Sequence, residues 1–167
     1  MNLELKDKRA LVFGGSKGIG LAIAKVLREE GASVTISSRT KQSLEKTSRE
    51  LDMDYFCCDL TQSGDATRAV QYVMKKKGGI DLLVINTGGP LKGNFLDVSM
   101  EQWQQDFQNL WLSSIEAIKT ALPSMIKNKF GRVLFITSLA AKEPLPGLTT
   151  SNALRAGFPG LCRSLSK

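Results

Sequence analysis

The stretch FGGSKGIG, residues 13–20, lies between an apolar run, RALV (9–12), and an amphipathic one that ends at Gly31. A turn of this kind joins a buried strand to a helix. The first backbone N–H groups of such a helix have no partner within it, and its dipole favours negative charge above them. Gly14 permits a tight turn, while Gly18 and Gly20 remove side chains where a ligand and the sheet approach. Ser16, Lys17 and Ile19 complete the loop, and Lys17 adds a positive charge. The stretch therefore predicts a cradle for an anion at the end of the first strand.

Working outward, the pattern alternates between short apolar runs and helical periodicity. Strands are expected at 9–14, 33–38, 54–60, 80–89 (running into a loop) and 131–138. Helices are expected at 19–31, 41–51, 64–79, 99–129 and from about Thr150 to the end. Trp103, Phe107, Trp111 and Ile118 fall near one face of the long helix, which reads as packing. Continuous apolar strands separated by helices predict an α/β fold: a doubly wound, Rossmann-type parallel sheet in three α/β/α layers. No linker or repeat interrupts residues 1–167, so one domain is expected. The last helix runs to the end of the sequence. The strand at 131–137 is then expected at a sheet edge, to be covered by further chain or by a partner.

Composition narrows the chemistry. Apolar residues make up 42% and charged residues 23%, which fits a globular protein rather than a disordered one. No apolar run approaches the roughly 18 residues of a membrane span. The N-terminus lacks a signal-peptide pattern, so the cytoplasm is the expected location. The chain has no histidine. That removes Ser-His-Asp and Cys-His machinery and histidine-based metal sites, and no metal site is expected. Cys57, Cys58 and Cys162 form no C-x-x-C and read as buried small hydrophobes. The net charge of +7 could suit nucleic acid or a small anion. No aromatic-rich basic stripe accompanies it, and Lys75–Lys77 closes a helix where cations complement the dipole, so a small anion is expected.

The end of the second strand suggests which anion. In a doubly wound fold that end meets the adenosine ribose of a dinucleotide. An acidic residue there would bind the ribose hydroxyls of NAD; this chain offers Ser38 and Arg39 instead. Arg39 and Lys17 can pair with a 2′-phosphate that a carboxylate would repel. NADP(H) is the expected cofactor.

The spacing G-x-x-x-G-x-G over 14–20 resembles the short-chain dehydrogenase/reductase family. Further pieces follow in order. Asp59-Leu60 resembles the family's adenine contact, and Asn86-Thr87-Gly88-Gly89 resembles its N-N-A-G loop with two departures. Asn109 resembles the asparagine that anchors a proton-relay water. GRVLFITS (131–138) resembles the strand ending in the catalytic serine, here Ser138. The resemblance covers nearly the whole chain, and the subgroup it approaches is the 3-oxoacyl-[acyl-carrier-protein] reductases. It implies hydride transfer between nicotinamide and a carbonyl or alcohol, such as a 3-oxoacyl thioester. It also implies self-association through the helices at 101–127 and 150–167.

One departure bears on the chemistry. The family's Y-x-x-x-K begins 13 residues after the serine, which lands on Ser151 and Arg155, in S-N-A-L-R. The family also continues further, through its last strands and substrate lid. Ser151 reads either as a replacement for the tyrosine or as a helix cap. The chain thus reads as an oxidoreductase with altered catalytic residues, as a dinucleotide-binding or regulatory module, or as a structural partner in an oligomer.

Overall fold

The computed structural model describes residues 3–166. Its centre is a parallel sheet of β1 (Arg9–Phe13), β2 (Ser33–Ser38), β3 (Asp54–Cys57), β4 (Leu82–Ile85) and β5 (Arg132–Phe135), in the order β3-β2-β1-β4-β5. The chain winds outward from β1 to one side, returns to β4, and winds outward to the other. The reversal between β1 and β4 opens a crevice at the carboxyl ends of those two strands, where ligands of such sheets bind.

Side chains alternate across the sheet and divide the core into two layers. Ala10 and Val12 of β1 face one way, with Val34, Ile36, Leu82 and Val84. They pack against Ala24 of α1 (Gly18–Glu29) and Leu44 of α2 (Lys41–Leu51). Leu11 and Phe13 face the other way, with Leu83 and Ile85. They meet Val70 and Val73 of α3 (Asp65–Lys77) and Ala117 and Ile118 of α5 (Ser113–Lys127). The expected three-layer, doubly wound architecture is what the chain forms.

The amino edge of the sheet is tied by charge. Arg9 Nε and Nη2 donate to the two oxygens of Asp81, each at 2.8 Å, and the Arg9 backbone N–H adds a third bond at 2.9 Å. Asp54, at the start of β3, pairs with Lys77 at 2.7 Å and with Lys76. Two lysines of the basic run that closes α3 are thus engaged within the fold.

Several boundaries differ from the sequence-based expectation, each for a local reason. β3 stops at Cys57 because Asp59 turns the chain, its Oδ1 accepting from the Thr61 N–H at 3.0 Å. The helix expected at 99–129 is interrupted. α4 (Met100–Phe107) runs into a π-helical turn at Gln108–Leu112 before α5. The Ser113 and Ser114 hydroxyls donate to the Asn109 and Leu110 carbonyls at 2.6 and 2.5 Å. The extra residue in the turn shifts the helical face. Leu110 is sealed in the core, whereas Phe107 is 42% exposed, so Phe107 does not share the packing role expected of it.

The final helix is also two pieces, α6 (Thr149–Arg155) and α7 (Phe158–Leu165). Gly157 sits between them, and Pro159, which suits a first helical turn, lies at the start of the second. Of the cysteines only Cys58 is buried; Cys57 and Cys162 are exposed, against expectation. β5 lies at the sheet edge as expected, with Leu134 45% exposed.

Candidate functional site

A cleft of about 470 Å³ occupies the crevice at the switch point. One end is built from the loop after β1 and the end of β2. Gly14 (φ +62°) and Gly18 (φ +57°) hold left-handed backbone conformations that other residues adopt at a cost. A Cβ on Gly14 would collide with Asn86 Nδ2 at 2.6 Å, whereas Gly18 faces open space. Lys17 precedes the helix in extended conformation, and its side chain caps none of the N–H groups of the first turn. Those amides are left for a ligand, and no acidic residue in that turn competes with it. Gly20 has a different task. It is buried, and a Cβ there would run into the Gly14 carbonyl, so its absence lets α1 sit close against the loop.

Lys17 and Arg39 are both exposed at this end of the cleft, with Ser16, Ser38 and Leu60 beside them. The Ser38 Oγ is buried with no hydrogen-bond partner. An amide cradle, two cations and an orphaned hydroxyl fit the phosphates and ribose of a dinucleotide. Thr40 and Ser43, at the start of α2, also line the wall. The sequence reading passed over them, although short hydroxyl side chains at a helix start were the available signal. Cys58 forms part of the floor. Burial is the chief cause that pushes its thiol up to about 11, so it stays protonated at neutral pH. Ile19 is 64% exposed and lies outside the wall, as does Asp59, which is spent on its turn.

The other end follows β4 and reaches the π-helical turn. Asn86 Nδ2 donates to the Gly14 carbonyl at 3.4 Å, tying the loops after β1 and β4 together. Asn109 Nδ2 donates to the Gly88 carbonyl at 3.3 Å. Both asparagines and Gly88 line the cleft, so the structure joins them to the glycine loop as one surface.

Ser138, Ser151 and Arg155 stand apart from that surface, yet close to one another in the chain's path. Ser138 follows β5 and is exposed, its Oγ accepting from the Ala140 N–H at 3.2 Å. Ser151 is buried in the first turn of α6. Arg155, one turn later and 5% exposed, donates through Nη1 to the Ile136 carbonyl at 3.3 Å. Burial lowers its pKa, but a guanidinium remains charged at neutral pH. Trp111 of the π turn stacks on Phe158 (5.0 Å between centroids) and donates to the Leu154 carbonyl at 2.6 Å. That contact ties α6 to the element that carries Asn109. The loop after β4 is in turn tied to the loop before α6, the Gly93 N–H donating to the Gly147 carbonyl at 2.8 Å.

Comparison with known proteins agrees with this geometry. The chain is 32% identical over 171 residues to an uncharacterized oxidoreductase, YvrD, of Bacillus subtilis (strain 168), covering 100% of this chain and 65% of that protein. It is 32% identical over 168 residues to dehydrogenase/reductase SDR family member 4 of Homo sapiens, covering 97% and 60%. The chain thus spans 60–65% of the length of these relatives. Among solved structures it superposes on a 3-oxoacyl (acyl-carrier-protein) reductase from Agrobacterium tumefaciens C58 with NADP bound. The TM-score is 0.91 at 26% identity, covering 99% of this chain and 67% of that one. An L-sorbose reductase from Gluconobacter frateurii, complexed with NADPH and L-sorbose, shares the fold at a TM-score of 0.91 and 24% identity. The family model described as short chain dehydrogenase matches residues 8–167, and the chain belongs to that family.

Proposed function

We propose that this chain is the cofactor-binding part of an NADP(H)-dependent oxidoreductase acting on a carbonyl or alcohol substrate. The observation that carries the reading is the continuity of the cleft, from Lys17, Ser38 and Arg39 at one end to Asn86, Gly88 and Asn109 at the other. The amides of residues 17–20 hold the pyrophosphate, and Lys17 and Arg39 hold a 2′-phosphate. Leu60 borders the adenine, with Asp59 shaping the turn beside it, and Asn86 and Gly88 border the nicotinamide ribose. The bound nicotinamide supplies or accepts the hydride. Reduction of a carbonyl also needs stabilisation of the developing oxyanion and a proton for it. Ser138 and Asn109 orient the carbonyl, and Arg155 offers positive charge near it.

Ser151 and Arg155 stand in for the family's tyrosine and lysine. A serine hydroxyl is a far weaker acid than a phenol of pKa about 10. General acid catalysis contributes about 10²–10⁴ in rate, so turnover is slow, with water as the acid. The 3-oxoacyl thioesters are the substrate class the resemblance suggests. The relatives' greater length supports placing the chain in a longer family fold, which the mass of the protein from its native source tests. Exposed Phe107, Leu112 and Ile126 support homo-oligomerisation through the helices at 101–127 and 150–167, which light scattering tests. A cytoplasmic location is part of the same reading; no helix among the described residues is long and apolar enough to cross a membrane.

A second reading, a binding module without turnover, is favoured by the tyrosines. Tyr55 donates to Glu45 at 3.1 Å and Tyr72 packs on Phe56, and neither lines the cleft. Calorimetry with NADPH and NADH, followed by NADPH oxidation assays on a ketone panel, separates the readings. Heat with turnover supports the oxidoreductase, heat without turnover the module, and no heat with either nucleotide removes both.

A further inference from the structure

A second cleft, of about 660 Å³, opens at the amino rim of the sheet, where β2 and β3 begin. The carboxyl ends of three helices each bring one cation to it: Arg28 from α1, Arg49 from α2 and Lys77 from α3. Lys77 is the most buried of the three, with 10% of its side chain exposed. An ammonium has three N–H donors. Two are spent, on Ser33 Oγ at 2.5 Å and on Asp54 Oδ2 at 2.7 Å, and one remains. Arg28 reaches Asp52 only at 3.3 and 3.4 Å, through Nη2 and Nε, which leaves Nη1 free. Arg49 makes no hydrogen bond or ion pair with any described residue.

The acceptors at this rim are already committed. Asp54 takes Lys76 as well as Lys77, so that group of three carries a net positive charge. The Asp52 side chain is 96% exposed and stands out in solvent. Carbonyls at the ends of α1 and α2 are also occupied: those of Val26, Leu27 and Arg28 accept from Glu30, Ala32 and Gly31, and that of Ser48 from Met53. What remains is a set of free donors on three separate cations. A carboxylate has two oxygens and one charge; a phosphate monoester offers three oxygens and close to two charges. We propose that the amino-rim cleft binds a phosphate monoester, held by Arg28, Arg49 and Lys77. The site shares no lining residue with the cofactor cleft at the opposite rim, and does not depend on what that cleft holds.

The test is calorimetry on protein saturated with NADPH, which keeps phosphates out of the cofactor cleft. The probes are ribose 5-phosphate, ribose, and ribonate, which carries a carboxylate instead. Ribose 5-phosphate is expected to bind at least about tenfold more tightly than either of the others, the scale of one charge-assisted hydrogen bond. Arg49→Glu removes no hydrogen bond or ion pair to the described residues, so the fold should survive it. It should weaken ribose 5-phosphate binding about tenfold or more. Lys119→Glu makes the same change of net charge from α5, in the other helical layer, and should alter binding less than about twofold once salt screens the distant charge. No binding of ribose 5-phosphate, equal binding of ribose or ribonate, full binding in Arg49→Glu, or an equal loss in Lys119→Glu would each overturn the proposal. Should NADPH itself give no heat, Arg39→Asp takes its place in disabling the cofactor cleft. Binding that persists in that variant supports the amino-rim site, and binding lost there overturns it.

Discussion

At the residue scale, the cleft rests on a few side chains and on two glycines with different tasks. Arg39 is exposed and unobstructed at the mouth, so exchanging its charge acts on the ligand more than on the fold. Arg39→Asp should weaken NADPH binding about tenfold or more and improve NADH relative to it, as read by calorimetry. An unchanged ratio would remove Arg39 from the 2′-phosphate site. Gly18→Ala meets no neighbour but keeps a positive φ, so a loss of about 1–2 kcal/mol in urea unfolding is expected. Gly20→Ala meets backbone; overpacking there costs about 1–3 kcal/mol and pushes α1 away from the loop, so nucleotide binding should fall as well. The cysteines offer a simple check of burial. Native protein should release two rapidly reacting thiols, Cys57 and Cys162. Cys58, sealed and held at about 11, should react only after unfolding. Three fast thiols in the native state would contradict this packing.

At the element scale, the π-helical turn between α4 and α5 is the feature that places Asn109. It brings the Asn109 side chain to the Gly88 carbonyl and sets Trp111 against α6. π turns inside helices recur at functional sites because they rotate one side chain out of the regular helical face. Trp111→Phe keeps the ring on Phe158 but leaves the Leu154 carbonyl without its donor. The expected loss is about 1 kcal/mol in urea unfolding. An unchanged unfolding midpoint would mean that this bond does not hold α6. None of this could be read from hydropathy. The residues 99–129 carry one unbroken helical pattern, and the inserted residue shows itself only in which side chains end up buried: Leu110 inside, Phe107 out. The split between α6 and α7 was more legible, since Gly157 and Pro159 are the ordinary marks of a break.

At the scale of the whole molecule, the two rims of the sheet do different work. The carboxyl rim carries the cleft, and the amino rim carries the paired charges. Burial pushes the Asp81 carboxyl up, but the hydrogen bonds and charge of Arg9 outweigh this and hold it below the usual carboxylate range. Asp54 is lowered in the same way by Lys76 and Lys77 against its burial. A carboxyl whose folded pKa lies below its unfolded one stabilises the protein fully above the unfolded value, about 3.9. That contribution is lost as pH falls through the folded value. Urea midpoints should therefore hold near neutral pH and decline below about pH 4. Asp81→Asn should cost about 2 kcal/mol at pH 7 and flatten part of the decline. An equally steep acid limb in that variant would assign the pH dependence to other groups.

The sequence by itself determined the alternation of strand and helix, the parallel sheet and the anion cradle. Each of these follows from local causes: apolar periodicity, glycine's backbone freedom and the unpaired amides of a helix start. Tertiary structure decided which distant loops share a wall. Asn86 reaches the glycine loop because β1 and β4 are neighbours at the reversal of winding. It also decided that Arg155 is buried with one edge of its guanidinium unsatisfied, since burial is a property of what packs around a side chain and not of the residue.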